Sequence, residues 1–415
     1  MSPDDVHSRL SGDAGVAPTK CEPGRVKAVR LAFFLITIPA KAECRVAHSR
    51  VRSGMPSIDR DFLYEMLRTP SPTGWEQPLQ HKLYDHYRHV ADGVEPDVHG
   101  NLMFTLNPDR PRKVMLAGHC DQVGFMVKHI SPEGYIFLDT LGGVDWGVTL
   151  GARLLIHTKS GAIEGVVGRK AKHLQTTAET KQIPPPEKIW IDIGARDRAQ
   201  VQERVNIGDY VTFLPHVVDL QNEFISAPGL DNRAGLFICL ETMRRVKAAG
   251  CGTTLFVVAT VQEEIGSRGA SSATSQLSPH VGLAVDTIPA TDDPGYDLPP
   301  EQTVPCNLGG GPTISTGPNT NRVAEQMLID AATRLKMDWQ PDPSGKVAPN
   351  DSNMMQIGDS GVATASVGLP LRNMHTPAEV VAWSDIEQCI DLLTEFVCSV
   401  KPDADFRPFY FHSGR

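Results

Sequence analysis

From Ser57 onward the chain switches between two hydrophobic periods. Ile58, Phe62, Leu63, Met66 and Leu67 recur at helical spacing, and Pro70-Ser71-Pro72-Thr73-Gly74 closes that helix. A second helical stretch is predicted from about Trp75 to Val90. Short apolar runs follow at Leu102–Leu106 and Val114–Ala117, and then a series of β-like segments between Phe125 and Pro215. Gly-bearing turns at Ser131–Gly134, Lys159–Gly161 and Ile207–Asp209 punctuate that series, the pattern of a small β-barrel or sandwich.

Beyond Pro228 the pattern changes. Leu236, Phe237, Leu240, Met243 and Val246 form a helical stripe that stops at Gly250, a residue suited to a left-handed helix end. Leu255–Ala259 and Val281–Val285 are wholly apolar and read as buried strands. Val323, Met327, Leu328, Ala331 and Leu335 make a further stripe. Ser384-x-x-Glu387 is the pattern of a capping box, opening a last helix that carries Ile386, Cys389, Ile390, Leu393, Phe396 and Val397. Apolar strands alternating with amphipathic helices predict an α/β fold whose sheet is covered on both faces. The β-rich stretch interrupts the alternation and is read as an insertion. Residues 56–125 and 220–402 then form the α/β domain, 126–219 the inserted domain, 1–55 an extension and 403–415 a tail.

Composition changes this picture little. The 415 residues are 40% hydrophobic and 21% charged, as globular chains are, and the length suggests two domains. A net charge of -9 without a basic block excludes a nucleic-acid footprint. Eight cysteines show no paired spacing, so neither a disulfide framework nor a zinc ribbon is expected. Cys239 and Cys389 sit in apolar runs as small hydrophobes, which fits a reducing, cytoplasmic setting. No apolar run reaches the roughly 18 residues of a membrane span. Arg25, Lys27 and Arg30 before Leu31–Ile38 and Ala40-Lys41-Ala42 mimic a secretory signal, but the run is short and begins about thirty residues in. An export signal and an extension ahead of a domain starting near Met55 both stay open.

Three apolar runs end in a residue fit to bind a metal. Val114–Gly118 leads into His119-Cys120-Asp121, Leu255–Val261 into Gln262-Glu263-Glu264, and Gly282–Val285 into Asp286. In open α/β sheets such tips converge in one crevice beyond the carboxyl ends of the strands. Asp231, in Gly229-Leu230-Asp231-Asn232-Arg233, and His375, in Met374-His375-Thr376-Pro377, can join them. Alone, Asp231 reads equally as a helix N-cap and His375 as an exposed loop histidine.

Imidazoles with carboxylates suit zinc, or cobalt and manganese, where an all-oxygen set would suit magnesium or calcium. Two such ions side by side repel, so a bridging carboxylate and a shared water or hydroxide belong between them, serving as nucleophile and oxyanion partner. Glu263 points away from its neighbour Glu264 and can reach that water as general base. Asp121 can accept the other ring N–H of His119.

His119-x-Asp121 with Val123-Gly124-Phe125, Asp231-Asn232-Arg233, Gln262-Glu263-Glu264-Ile265-Gly266 with Arg268-Gly269-Ala270, Asp286, and His375-Thr376-Pro377-x-Glu379 occur in this order. Together they resemble the M42 family of metallo-aminopeptidases, over about Ser57 to Val400. The resemblance implies Asp231 as the bridging ligand, with a cis bond to Asn232. His119 and Asp286 would complete one metal, and Glu264 and His375 the other. Glu263 would be the general base, and Asp121 the partner that fixes the His119 ring. It also implies a mixed-sheet, helix-covered exopeptidase domain carrying a PDZ-like β-barrel for dimerisation, and a dodecamer built from dimers. Gly165-Val166-Val167-Gly168, His173-Leu174 and Asp192-Ile193-Gly194-Ala195 match stretches of that inserted domain.

Two departures bear on specificity: Asn373 stands where the family has an aromatic, and Asn350-Asp351-Ser352-Asn353 replaces Thr-Asp-Ala. The function implied is release of the N-terminal residue from short peptides by a dinuclear site. A deacylase or carboxypeptidase on the same site is the nearest rival. A glycosidase would need two carboxylates straddling a sugar, which adjacent Glu263 and Glu264 cannot do. A scaffold with a dead site is at odds with the complete ligand set.

Overall fold

The structure, a computed structural model, describes residues 55–409 except 297, 298, 300, 301, 303 and 359. The candidate export segment at 25–42 lies outside the described residues, as do the extension up to residue 54 and the end of the tail.

Helices α1 (Arg60–Arg68) and α2 (Gln77–Tyr87) lead into strands β1 (Gly93–Pro96), β2 (Leu102–Leu106) and β3 (Lys113–His119). Then come β4 (Gly124–Ile130), β5 (Ile136–Leu141), α3 (Trp146–Thr149), β6 (Arg153–Thr158), β7 (Gly161–Gly168), β8 (Trp190–Asp192), α4 (Arg198–Gln202) and β9 (Tyr210–Phe213). Strands β10 (Val218–Asp219) and β11 (Phe224–Ala227) return the chain to α5 (Leu230–Ala249). The remainder runs β12 (Thr254–Thr260), α6 (Arg268–Leu277), β13 (Val281–Pro289), β14 (Thr313–Thr316), α7 (Arg322–Leu335), β15 (Gln340–Pro343), α8 (Asp351–Met355), β16 (Ala363–Leu371), β17 (Glu379–Ala382) and α9 (Trp383–Ser399).

These strands form an eight-stranded mixed sheet in the order β1-β2-β12-β3-β13-β16-β14-β15, a small sheet β10-β11-β17, and a closed barrel β4-β5-β8-β7-β6-β9. The centre of the large sheet is parallel: β12 beside β3, β3 beside β13 and β13 beside β16. Alternate side chains of the central strands serve two cores. Val114, Leu116, Leu255, Val257, Leu283 and Val285 cluster with residues of α5 and α9. Met115, Ala117, Phe256, Val258 and Ala284 cluster instead with Ala270 and Ala273 of α6 and Met355 of α8. The barrel has its own core, around Phe125, Ile136, Leu154, Ile191 and Val211.

Helix α5 approaches β3 to backbone contact. A Cβ on Gly118 would stand 2.7 Å from both Cα and N of Leu236, so only glycine fits. The helix ends on Gly250 at φ 65, the left-handed position its sequence predicts.

Two expectations need correction, and one strand was not foreseen. The last helix begins at Trp383, with Ala382 at its N-cap and no side-chain cap, so Ser384 lies inside the first turn. Strand β17 runs directly into it, Trp383 is buried with its ring against Tyr64 and Phe237, and that packing outweighs the capping-box signal. Strand β16 was not legible as a strand, because Thr364, Ser366, Gly368 and Pro370 break up its apolar run. Finally, Cys251 and Cys398 form a disulfide, their Cα atoms 5.0 Å apart across 147 residues of sequence, a separation from which no spacing signal can be read. Cys120, Cys239, Cys306 and Cys389 are free and buried.

Arg233 is 1% exposed and ties α5 to α1. Its guanidinium donates to Gly229 O at 2.8 Å, Pro228 O at 2.8 Å, Thr69 O at 2.8 Å and Met66 O at 3.2 Å. The last two are carbonyls at the end of α1, where Met66 O also accepts the N–H of Thr69. Arg233→Met is expected to destabilise the fold by about 3 kcal/mol or more, because it strips charge-assisted bonds from buried acceptors. Denaturant unfolding of variant and wild type measures this, and a loss below about 1 kcal/mol would contradict the clamp.

Candidate metal centre

The carboxyl ends of β3, β12 and β13 meet in one place. Their register pairs Thr260 with His119, and Ala284 with Ala117 two residues before Asp286 and His119. His119 has the parity of Met115 and Ala117, and Asp286 that of Ala284, so both leave the same face. Asp231 enters from the irregular start of α5, where its ψ of 108 is non-helical and its bond to Asn232 is cis. It is not an N-cap; Gly229 holds that position. Asn232 fastens this segment by donating Nδ2–H to Val285 O at 2.7 Å.

The five residues singled out as ligands converge in two groups sharing Asp231: His119, Asp231 and Asp286, and Asp231, Glu264 and His375. The ligand atoms of each group lie within 4.8 Å of one another. Asp231 Oδ1 is 3.3 Å from His119 Nε2, and Oδ2 is 3.3 Å from His375 Nε2. Asp286 Oδ1 lies 3.7 Å from His119 Nε2, and Glu264 Oε2 3.6 Å from His375 Nε2. Donors around a tetrahedral ion with bonds of about 2.0–2.1 Å stand about 3.4 Å apart, so these spacings fit ions of that size. Glu264 Oε1 is buried with no hydrogen-bond partner, a further opening for a cation.

Electrostatics agree with geometry. Burial, together with the charge on Asp231, pushes the Glu264 carboxyl well above the usual range. Burial does the same to Asp286, which also faces Asp231 and Glu263. The two histidines hold Asp231 below its ordinary value against its own burial. Contact with Asp231 lifts His375 to about 9. So many carboxylates in a dry site call for positive charge.

Glu263 turns away from Glu264. Its Oε1 accepts Ser267 Oγ at 2.9 Å and its Oε2 is 3.9 Å from His119 Nε2, with burial raising its carboxyl. Asp121 serves His119 through its backbone, where its side chain was expected. His119 Nδ1 donates to the Asp121 backbone carbonyl at 3.0 Å, and Asp121 Oδ1 lies further off at 3.4 Å. The Asp121 carboxylate accepts the backbone N–H groups of Glu263 at 3.0 Å and Glu264 at 3.2 Å, and Thr73 Oγ at 2.9 Å.

Several residues around the centre escape sequence reasoning. Glu76 Oε1 accepts Gly74 N–H at 2.7 Å and Gln262 N–H at 3.3 Å, extending the hold on this turn by one residue. Glu379 accepts the N–H groups of Asp231 at 3.2 Å and His375 at 2.8 Å. Asp351 accepts Thr260 Oγ at 2.5 Å and is buried, which raises its carboxyl to about 7. Glu379 and Asp351 lay in stretches that drew attention, though neither was given a role; Glu76 acts through backbone donors alone and leaves no spacing to read. A cavity of about 1100 Å³ lies elsewhere, at the opposite ends of the strands beside His280 and Ala363, and contains none of these residues.

The family profile described as M42 glutamyl aminopeptidase matches residues 100–392. The lysyl aminopeptidase of Pyrococcus furiosus is 32% identical over 356 residues, which is 85% of this chain and all of that protein. Among solved structures, a TET aminopeptidase from Thaumarchaeota archaeon SCGC AB-539-E09 superposes with a TM-score of 0.77 at 27% identity, over 82% of this chain and 96% of its own. The Pyrococcus horikoshii TET1 peptidase, which can assemble into a tetrahedron or a large octahedral shell, reaches a TM-score of 0.72 at 22% identity, over 82% and 99% of the two chains.

Glu76 yields a test of how this shell is held. It is 3% exposed, and burial, with Asp121 adding repulsion, pushes its carboxyl from 4.5 up to about 7. A carboxyl with a raised folded pKa binds its proton more tightly when folded, so its stabilisation is complete below about 4.5 and is lost as pH climbs through about 7. Glu76→Gln removes that loss. In chelator-treated protein, the stability of the variant relative to wild type should therefore improve between pH 4.5 and 7, by at most ~3 kcal/mol. Urea unfolding at both pH values reads this, and a constant difference would mean that ionised Glu76 costs nothing.

Proposed function

The chain belongs to the M42 family of glutamyl aminopeptidases and is, like its relatives, a hydrolase acting on peptides; we propose that it removes the N-terminal residue of short peptides at a dinuclear metal centre. Asp231 carries this proposal, because each of its two oxygens faces a different histidine at 3.3 Å. His119 and Asp286 would hold one divalent cation, Glu264 and His375 the other, with Asp231 common to both. Zinc suits this donor set best, with cobalt or manganese as substitutes. When bound, such a pair supplies a water of lowered pKa and positive charge against the scissile carbonyl oxygen.

The chain's own groups do the rest. Glu263 takes a proton from the attacking water and delivers it to the nitrogen of the departing peptide, a role that its raised carboxyl favours. Ser267 Oγ, donating to Oε1 at 2.9 Å, leaves Oε2 of Glu263 on the side of His119. The Asp121 carboxylate, bound to the N–H groups of Glu263 and Glu264, keeps base and ligand in register. The density of carboxylates favours a substrate that brings a free α-amine, which restricts attack to the first peptide bond.

We further propose that residues 126–219 serve as a PDZ-like dimerisation domain, and that dimers assemble into a larger homo-oligomer acting in the cytoplasm. Support comes from the closed barrel and the family resemblance. No helix among the described residues is long and apolar enough to cross a membrane.

Glu263→Gln should retain both cations while kcat falls at least a hundredfold, about 2.7 kcal/mol. Activity within tenfold of wild type would remove Glu263 from the base role. Free-amine aminoacyl p-nitroanilides should be cleaved, N-acylated ones spared, and chelation should abolish turnover. Preference for the N-acylated series would favour a deacylase instead, and cellulose hydrolysis surviving EDTA would overturn the proposal.

A further inference from the structure

The barrel reaches into the metal centre. Its strand β5 ends at Leu141, and the next two residues, Gly142 and Gly143, lie against the half of the centre formed by Glu264 and His375. His375 Nδ1 lies 2.8 Å from Gly143 O. A carbonyl oxygen can only accept, so Nδ1 carries a proton, and Nε2 is the nitrogen that faces Asp231 at 3.3 Å and Glu264 at 3.6 Å, where it can give its lone pair to a cation in place of a proton. That is the tautomer a cation requires.

The two histidines are restrained differently. His119 is 2% exposed and finds its carbonyl partner two residues away, at Asp121. The His375 side chain is 30% exposed, on a backbone at φ 61, and takes its carbonyl from position 143, 232 residues earlier. Neither glycine tolerates a side chain without consequence. At Gly142, φ is 77 and a Cβ would come within 3.1 Å of Glu264 Cβ, 3.2 Å of its Oε2 and 3.0 Å of Val123 Cγ1. At Gly143 a Cβ would meet His375 Nδ1 at 3.3 Å. The nearest ligand atoms thus belong to Glu264 and His375 in both cases, not to His119 or Asp286.

Building on the two-cation function proposed above, we propose that the Gly142–Gly143 turn is a positioning element for one metal only: it fixes the tautomer and place of His375 and sets the affinity of the Asp231–Glu264–His375 half. The barrel would then be part of the active site as well as an association module. Its loop contributes a backbone carbonyl that no side-chain motif reveals.

The test compares full-length Gly143→Ala and Gly142→Ala with wild type, using zinc analysis and competition with a chromogenic chelator, with circular dichroism to confirm folding. Each variant should keep one zinc ion at wild-type affinity and bind the second about tenfold or more weakly. Gly208→Ala is the control. It places a side chain at φ 93 in the barrel segment before β9 with nothing within 4 Å, and should leave both affinities unchanged. If Gly142→Ala does not fold, Gly143→Ala decides, since its backbone is not in the left-handed region. Unchanged affinities in a folded Gly143→Ala, or equal weakening of both ions, would overturn the inference. A wild-type chain that takes up fewer than two zinc ions would overturn the dinuclear function, and the inference with it.

Discussion

One carboxylate facing two imidazoles organises the catalytic end of this molecule. Like charges a few ångströms apart in a dry site repel by several kcal/mol even at an effective dielectric near 20, so Asp231, Glu264 and Asp286 can all be ionised there only beside positive partners. Histidine Nε2 atoms on either side of Asp231 give that arrangement two poles, each with one further carboxylate. The parallel core of the sheet is what makes this possible. Strands β12, β3 and β13 run side by side in register, so that Thr260, His119 and Asp286 stand at one level although β13 itself continues to Pro289.

A second set of carboxylates has a different task. Asp121, Glu76 and Glu379 bind backbone N–H groups of the segments carrying Gln262 to Glu264, Asp231 and His375. Such bonds act on the main chain, so they fix where a side chain starts and leave its tip free for chemistry. They also tie down the irregular turn after β12, where Gln262 and Ser267 both stand at positive φ.

How much of this was legible in the sequence depended on the kind of signal. The strands of the catalytic core showed as unbroken apolar runs, and the residues at their tips are those that come together. The barrel announced itself through closely spaced glycine turns, and its strands close into a separate hydrophobic core. Strand β16 was hidden, because small polar residues, a glycine and a proline in its middle imitate a loop. Their side chains are satisfied by buried partners such as Asn350 and Ser352, which only the fold brings near. The start of α9 was misplaced because burial of Trp383 outweighed a local capping pattern. The Cys251–Cys398 link, the Glu76 contact and the Gly143 carbonyl depend on meetings between distant segments.

The contact of Gly118 with Leu236 has a mechanical consequence. Helix and strand there already touch main chain to main chain, so the wall bearing Asp231 has reached the end of its travel toward the wall bearing His119. One added methyl group at position 118 would wedge them apart. The gauge of the cleft is therefore set by a missing side chain next to His119.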